Sequence, residues 1–289
     1  MSAWALDEPP TIGPPRDGPR EAVASPAQAS TAAPSAALYD EMPYRIVRPY
    51  RVRFDDATAD ETVRTAVCLS WMADCTWQHS IALGFGREEY TEQGFFWLVR
   101  AIRLEVLRPI PPNAGVVVGT QVIGCRRIAG RRCNEIYDHV GQLLARAEVD
   151  WVTTNLRGMP TQVPPGFEQL TMAEPRSFDY LKVPLPATPP DASQRDFKVR
   201  RRDVDVLDHV NNSVYVDYFE EALEESGRAD LANVTPRRYE LEFVNAAAHG
   251  ARVTDATWPC DGGWAYRLCR EDGTEVVRAR LEVGPARDS

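Results

Sequence analysis

The stretch Asp203-Val204-Asp205-Val206-Leu207-Asp208-His209-Val210-Asn211-Asn212-Ser213-Val214-Tyr215 runs directly into Val216-Asp217-Tyr218-Phe219-Glu220-Glu221-Ala222-Leu223. Three aspartates and one of the chain's four histidines stand within seven residues here. Asn211 or Asn212 then offers a side-chain oxygen to cap the helix that the apolar spacing predicts. The first turn of a helix holds backbone N–H groups without internal partners, backed by the positive end of the helix dipole. Such donors polarise a bound carbonyl while a neighbouring carboxylate or imidazole moves a proton or a water. That set of groups suits acyl transfer to water.

Outward from this stretch, the pattern predicts a strand over 197–201, a helix over 212–226 stopped by Gly227, and strands over about 238–245, 251–259, 264–270 and 275–283. The first half predicts the same order: a strand over 44–53, a helix within 69–83 stopped by Gly84, and strands over 95–107, 115–125, 132–139 and 143–154. Gly84 and Gly227 are 143 residues apart, and the same offset pairs Asp74 with Asp217, Gln78 with Glu221 and Ser70 with Ser213. One element order repeated at one offset indicates a tandem duplication. The expected organisation is a Pro/Ala/Ser-rich disordered tail over 1–42, a first domain over 43–157, a Pro-rich linker over 158–196 and a second domain over 197–285.

The net charge of -9 and pI near 5.1 argue against nucleic acid as a partner, because a phosphate backbone calls for a basic footprint. Local basic clusters remain: Arg126-Arg127 with Arg131-Arg132, Arg200-Arg201-Arg202, and Arg237-Arg238. Of these, Arg126, Arg127, Arg200, Arg201 and Arg202 are the candidates for receiving a phosphate or an acidic carrier. The six cysteines form no C-x-x-C pair and sit at no zinc-ligand spacing, so no metal and no cofactor is expected, and free thiols are. The opening residues lack a basic start and an apolar core, and no apolar run approaches membrane-spanning length. A cytoplasmic protein without a membrane span is the expectation.

The pattern Asp-x-Asp-x-x-x-His-Val-Asn-Asn-x-x-Tyr, continued by Tyr218-Phe219-Glu220-x-Ala222, resembles the signature of hotdog-fold thioesterases. The tandem order resembles the double-hotdog acyl-ACP thioesterases of bacteria and plastids over roughly residues 44–285. In the first half, Trp77-Gln78-His79-Ser80-Ile81-Ala82-Leu83-Gly84 is similar to that family's Trp-Glu-His-Ser-x-x-Leu-Gly. Leu107-Arg108-Pro109 with Gly115-Val116-Val117-Val118 resembles its next strand pair. The implied fold is α+β, two tandem hotdog domains, each an antiparallel β-sheet wrapped around a long central α-helix. The first domain is implied to bind the acyl chain and the second to hold the catalytic loop.

The family's catalytic set is an Asp-x-Asn-x-His completed by a Glu on the strand after the helix. Asp205 and His209 match its first and last motif positions, whereas Leu207 stands at the Asn position. In Leu241-Glu242-Phe243-Val244-Asn245-Ala246-Ala247-Ala248-His249-Gly250, Ala246 stands at the Glu position, and at Asp208 the family usually has Gly or an uncharged polar residue. Single-hotdog thioesterases of the hydroxybenzoyl-CoA type rely mainly on one Asp four residues before the His-like position, where Asp205 stands. The resemblance therefore implies Asp205 as base or nucleophile, His209 as supporting acid or positioner, and the N–H groups of Val210 and Asn211 as oxyanion donors. It implies an acyl carrier protein or coenzyme A thioester as substrate, and a homodimer is compatible with it. Two other functions stay open: acyl binding without turnover, and a hotdog dehydratase acting on a hydroxyacyl thioester.

Overall fold

Each half opens with an edge strand, passes through a 3-10 turn into its main helix, and closes with four antiparallel strands. The computed structural model describes residues 44–163, 167–171 and 176–284, so the tail expected over 1–42 lies outside the described residues. In the first half these elements are β1 (Arg45–Arg51), α1 (Thr65–Ala82), α2 (Arg87–Gln93), β2 (Phe95–Val106), β3 (Gly115–Arg126), β4 (Ala129–Tyr137) and β5 (Leu143–Asn155). The second half has β6 (Ser193–Lys198), α3 (Val214–Glu225), β7 (Arg237–Phe243), β8 (Arg252–Cys260), β9 (Gly263–Arg270) and β10 (Glu275–Val283).

The strands form one ten-stranded antiparallel sheet in the order β1-β3-β4-β5-β2-β7-β10-β9-β8-β6. Read from its outer edge, each half has the same order, and β2 joins β7 at the centre through the register Ala101↔Glu242 to Val106↔Arg237. The two hotdog units thus share one sheet, which bends around α1 on one side of the join and α3 on the other. α1 is buried at Ala66, Cys68, Leu69, Trp71, Met72 and Cys75, as expected of a helix wrapped by a sheet rather than resting on a surface. Both helices stop in the same way. Gly84 (φ 81°) and Gly227 (φ 78°) take the left-handed conformation, and the next N–H groups bond back to Ser80 O (2.8 Å) and Leu223 O (2.7 Å).

The duplication has two offsets. At the helix ends it is 143 residues, as the glycines require, but at the turns that enter the helices it is 147. The bridges Ala57↔Val63 and Val204↔Val210, and the left-handed residues Glu61 (φ 57°) and Asp208 (φ 58°), all obey the longer spacing. The four-residue difference is about one extra helical turn in α1. A left-handed backbone at position 208 also explains why Gly or a small polar residue suits that site.

Three local expectations change. β6 occupies Ser193–Lys198 rather than 197–201, so it starts inside the stretch expected to be linker. Its sequence Ser-Gln-Arg-Asp-Phe-Lys is polar because the strand lies at the sheet edge. Helix α2 was not expected, since Arg-Glu-Glu-Tyr-Thr-Glu-Gln buries only Tyr90 and carries no apolar period. α1 also begins at Thr65, four residues before the first apolar residue used to predict it.

A buried polar cluster ties the halves together. Thr65 at the start of α1 donates to Glu220 Oε1 of α3 (2.6 Å), Tyr239 donates to the same oxygen (2.7 Å), and Arg237 donates to Thr65 (2.8 Å). Burial pushes the Glu220 carboxyl above the usual range, and these hydroxyls with the Arg237 charge draw it back. Ser70 and Ser213, which share the 143-residue offset, meet at 3.2 Å between the two helices.

Candidate active site

The loop over 203–211 is held from three sides. Its backbone closes on itself through Asp205 N–H to His209 O (2.9 Å), and Val210 N–H fastens it to Ala247 O (2.9 Å). A further bridge pairs His209 with Ala248. Asn211 does not cap α3, whose N-cap is Ser213; its Oδ1 instead accepts from Ser213 N–H (3.0 Å) and Ser213 Oγ (2.9 Å), closing the turn just ahead of the helix.

The three aspartates, equivalent in composition, separate by environment. Asp203 is buried and committed, its Oδ2 accepting from Arg200 N–H and from the Tyr218 hydroxyl, each at 2.8 Å. Asp208 is the exposed left-handed turn residue. Only Asp205 lines the cavity. One of its oxygens accepts from Leu207 N–H at 2.8 Å, which orients the carboxylate and leaves Oδ2 without a partner among the described residues. The Tyr215 hydroxyl, buried beneath the loop, is pushed above its ordinary range by burial and by the Asp205 charge. His209, Leu207 and Ala246 line the same cavity.

The cavity has a volume of about 790 Å³, within the range of small-molecule sites. Its mouth is formed by the loop and the start of α3, from the second half. Its body runs beneath α1 in the first half, between Leu69, Met72, Ile102, Val149 and Trp151. The opening exists because the β2–β7 ladder ends at Ala101↔Glu242, and a bulge at Arg100 turns β2 away. Arg100 holds that corner through Glu242 (2.7 Å) and the Phe243 carbonyl.

Two sets of expected site residues are displaced. The N–H groups of Val210 and Asn211 are not free to hold an oxyanion, since Val210 donates to Ala247 O and Asn211 to Asp203 O, both at 2.9 Å. Pinning the loop consumes them. The next N–H, of Asn212, has no acceptor among the described residues and its residue lines the cavity. Arg126 bonds to the Phe178 carbonyl and to Asp179 (3.3 Å), so it anchors the segment after β5. Arg131 does the same through Asp150 (2.6 and 2.9 Å) and the Asp179 carbonyl. Arg127 is exposed, as are Arg200, Arg201 and Arg202, which stand at the 3-10 turn leading into the loop of Asp205 and His209. His79 is 1% exposed and meets Arg132 at 2.8 Å, a packed position away from the cavity.

Composition and spacing missed the polar residues inside the chamber, Thr76 and Asn134, and the exposed Lys182 at its rim. Thr76 reads as part of an apolar helix and Asn134 as part of an alternating strand, and only the closed sheet makes them neighbours. No cysteine lines the cavity, and burial pushes the Cys68 and Cys133 thiols up to about 12. Among the described residues, no helix is long and apolar enough to cross a membrane.

Known proteins share this arrangement. The acyl-ACP thioesterase N-terminal domain model matches residues 43–169, and the acyl-ACP thioesterase C-terminal domain model matches residues 187–280. The palmitoyl-acyl carrier protein thioesterase, chloroplastic, of Cuphea hookeriana is 26% identical over 259 residues, covering 82% of this chain and 61% of that protein. The acyl-[acyl-carrier-protein] hydrolase FATB2, chloroplastic, of Cuphea viscosissima is also 26% identical over 259 residues, with 82% and 62% covered. The chain thus spans about three-fifths of the length of these curated relatives. Among solved structures, the 12:0-ACP thioesterase from Umbellularia californica superposes with a TM-score of 0.72 at 22% identity, over 84% of this chain and 98% of that one. An acyl-ACP thioesterase from Bacteroides thetaiotaomicron gives 0.71 at 14% identity, over 82% and 97%. These two likenesses establish the shared double-hotdog fold. With both halves of the chain matched by the two domain models in their own order, the chain belongs to the acyl-ACP thioesterase family.

Proposed function

We propose that this chain hydrolyses an acyl thioester carried on acyl carrier protein, or on coenzyme A, to a free carboxylic acid. The observation that carries the proposal is the single cavity that joins Asp205 and His209 of the second half to the apolar chamber of the first. The acyl chain lies beneath α1, which brings the thioester carbonyl to the mouth. Asp205, oriented by the Leu207 N–H, acts as base on water or attacks the carbonyl carbon itself. The Asn212 N–H at the entrance of α3 faces the developing oxyanion, and His209 supports proton transfer to the leaving thiolate. Residues 43–157 then form the acyl-binding half, 158–196 the connection and 197–285 the catalytic half. Arg200, Arg201 and Arg202, exposed on the turn before the loop, then meet an acidic carrier or the pantetheine phosphate.

The test is thiol release by the purified full chain on panels of acyl-ACP and acyl-CoA. Turnover that falls in Asp205→Ala supports the assignment. Turnover unchanged in that variant removes Asp205 from the mechanism. A second function, acyl binding without turnover, is favoured by Leu207 and Ala246, which leave the mouth without the family's amide and second carboxylate. Tight acyl binding with no thiol release on any panel member would establish it.

A further inference from the structure

The far wall of the chamber carries a polar group that hydrolysis does not use. Thr76 of α1 donates to Asn134 Oδ1 of β4 at 3.1 Å and lies 3.2 Å from Thr120 Oγ1. Thr76 and Asn134 both line the cavity, and Asn134 is only 1% exposed. Its Nδ2 donors have no acceptor among the described residues. Trp151, on the neighbouring strand β5, carries a buried indole N–H that is also unpartnered. An amide serving packing alone would spend its donors on the protein, whereas these donors border the cavity. Asn is also a poor strand residue, and β-branched apolar residues are the ordinary occupants of such a wall.

The position of this group matters as much as its chemistry. β4 lies two strands beyond β2, and Asn134 is in register with Ala147 and Leu104, four residues along β2 from the bulge at Arg100 that borders the mouth, so Asn134 stands roughly 15 Å from that end of the cavity. A purely hydrocarbon chain would set methylene or methyl groups against the amide and leave its donors unmet. We infer that the acyl group taken by this chain carries a hydrogen-bond-accepting oxygen, a hydroxyl or ketone, several carbons from the thioester, and that Asn134 recognises it. The inference rests on the thioesterase function proposed above and names its substrate class.

The test compares straight-chain acyl thioesters with counterparts of equal length bearing a hydroxyl at successive positions, using the full chain and reading kcat/KM by thiol release. The expected result is about a tenfold preference for a mid-chain or distal hydroxyl over the plain chain. Asn134→Leu should erase the preference by lowering turnover of the oxygenated thioester and raising that of the plain one. If that variant misfolds, Thr76→Val, which releases the amide from its anchor, should weaken the preference. Equal or better turnover of plain chains at every position overturns the inference while leaving the hydrolase function standing. If no thioester is turned over, the hydrolase function fails, and tryptophan-fluorescence titration with plain and hydroxylated free fatty acids still decides the preference. Equal affinities there overturn the inference as well.

Discussion

The two halves share one fold and differ in what lies beneath the helix. Under α3, Phe219 stacks on Tyr266 at 4.8 Å and meets Tyr239 edge-on at 6.1 Å, and all three rings are fully buried. Under α1 the corresponding space is bounded by Leu69, Met72, Thr76 and Ala73 and stays open as the chamber. The entrance turns differ in the opposite sense. At the 147-residue offset Asp205 corresponds to Thr58, Leu207 to Asp60 and His209 to Thr62. Thr58 and Thr62 bond to one another's turn, and Asp60 accepts from Asn233 at 2.6 Å. The duplicated fold thus differs between its halves in two places: the space beneath the helix and the side chains of the turn that enters it.

The largest expected effect tests the chemical side of that contrast. Replacing Asp205 by Ala should lower kcat/KM roughly 100- to 10,000-fold, the usual contribution of a positioned base, with little change in unfolding midpoint. Next comes the core. Phe219→Ala should cost about 3–5 kcal/mol by urea denaturation, whereas Leu69→Ala on the chamber wall should cost about 2 kcal/mol, because one side of Leu69 already faces a void. Equal costs would mean that the chamber collapses in solution.

A smaller effect concerns Asp217 on α3. Burial, with repulsion from Glu220 and Glu221, pushes its carboxyl up to about 7. The folded state therefore holds this proton more tightly than the unfolded chain, so stability falls as pH rises from about 4 to about 7 and levels off above. Asp217→Asn should gain about 1–2 kcal/mol at pH 8, after allowance for solvent screening, and almost nothing at pH 4. Denaturation midpoints at the two pH values check the sign. The smallest effect is the mirror control: Thr58→Ala should leave turnover unchanged and cost about 0.5–1 kcal/mol, since the half-buried hydroxyl gives up two long hydrogen bonds, to Thr62 O and from Asp60 N–H (3.3 Å each). A large loss of activity there would show that the first turn contributes to the site after all.

Much of the fold was legible because apolar spacing is local. The strands over 95–107, 115–125 and 143–154 were expected within about two residues of their observed bounds, since alternation and punctuation lie in the chain itself. Polar elements were not legible: α2 and the first residues of β6 carry no apolar period, and α2 is held by packing around Tyr90. The candidate loop was legible as a motif, but which of its backbone and side-chain groups are already spent on structure was not. Three aspartates look alike in a motif, and only Tyr218, reaching Asp203, shows which one is structural.

Order along the chain was enough to reveal the duplication, the helix stops and the loop that carries Asp205 and His209, because periodicity, glycine stops and short motifs are encoded within a few residues. Tertiary structure alone decided that Val210 and Asn211 spend their N–H groups on pinning the loop and that β2 and β7 part at Arg100 to make a mouth. It also decided that Asn134 faces Thr76 at the end of a chamber. Each of these depends on groups far apart in sequence competing for the same donors and the same space, and that competition is settled only when the sheet closes around its helices.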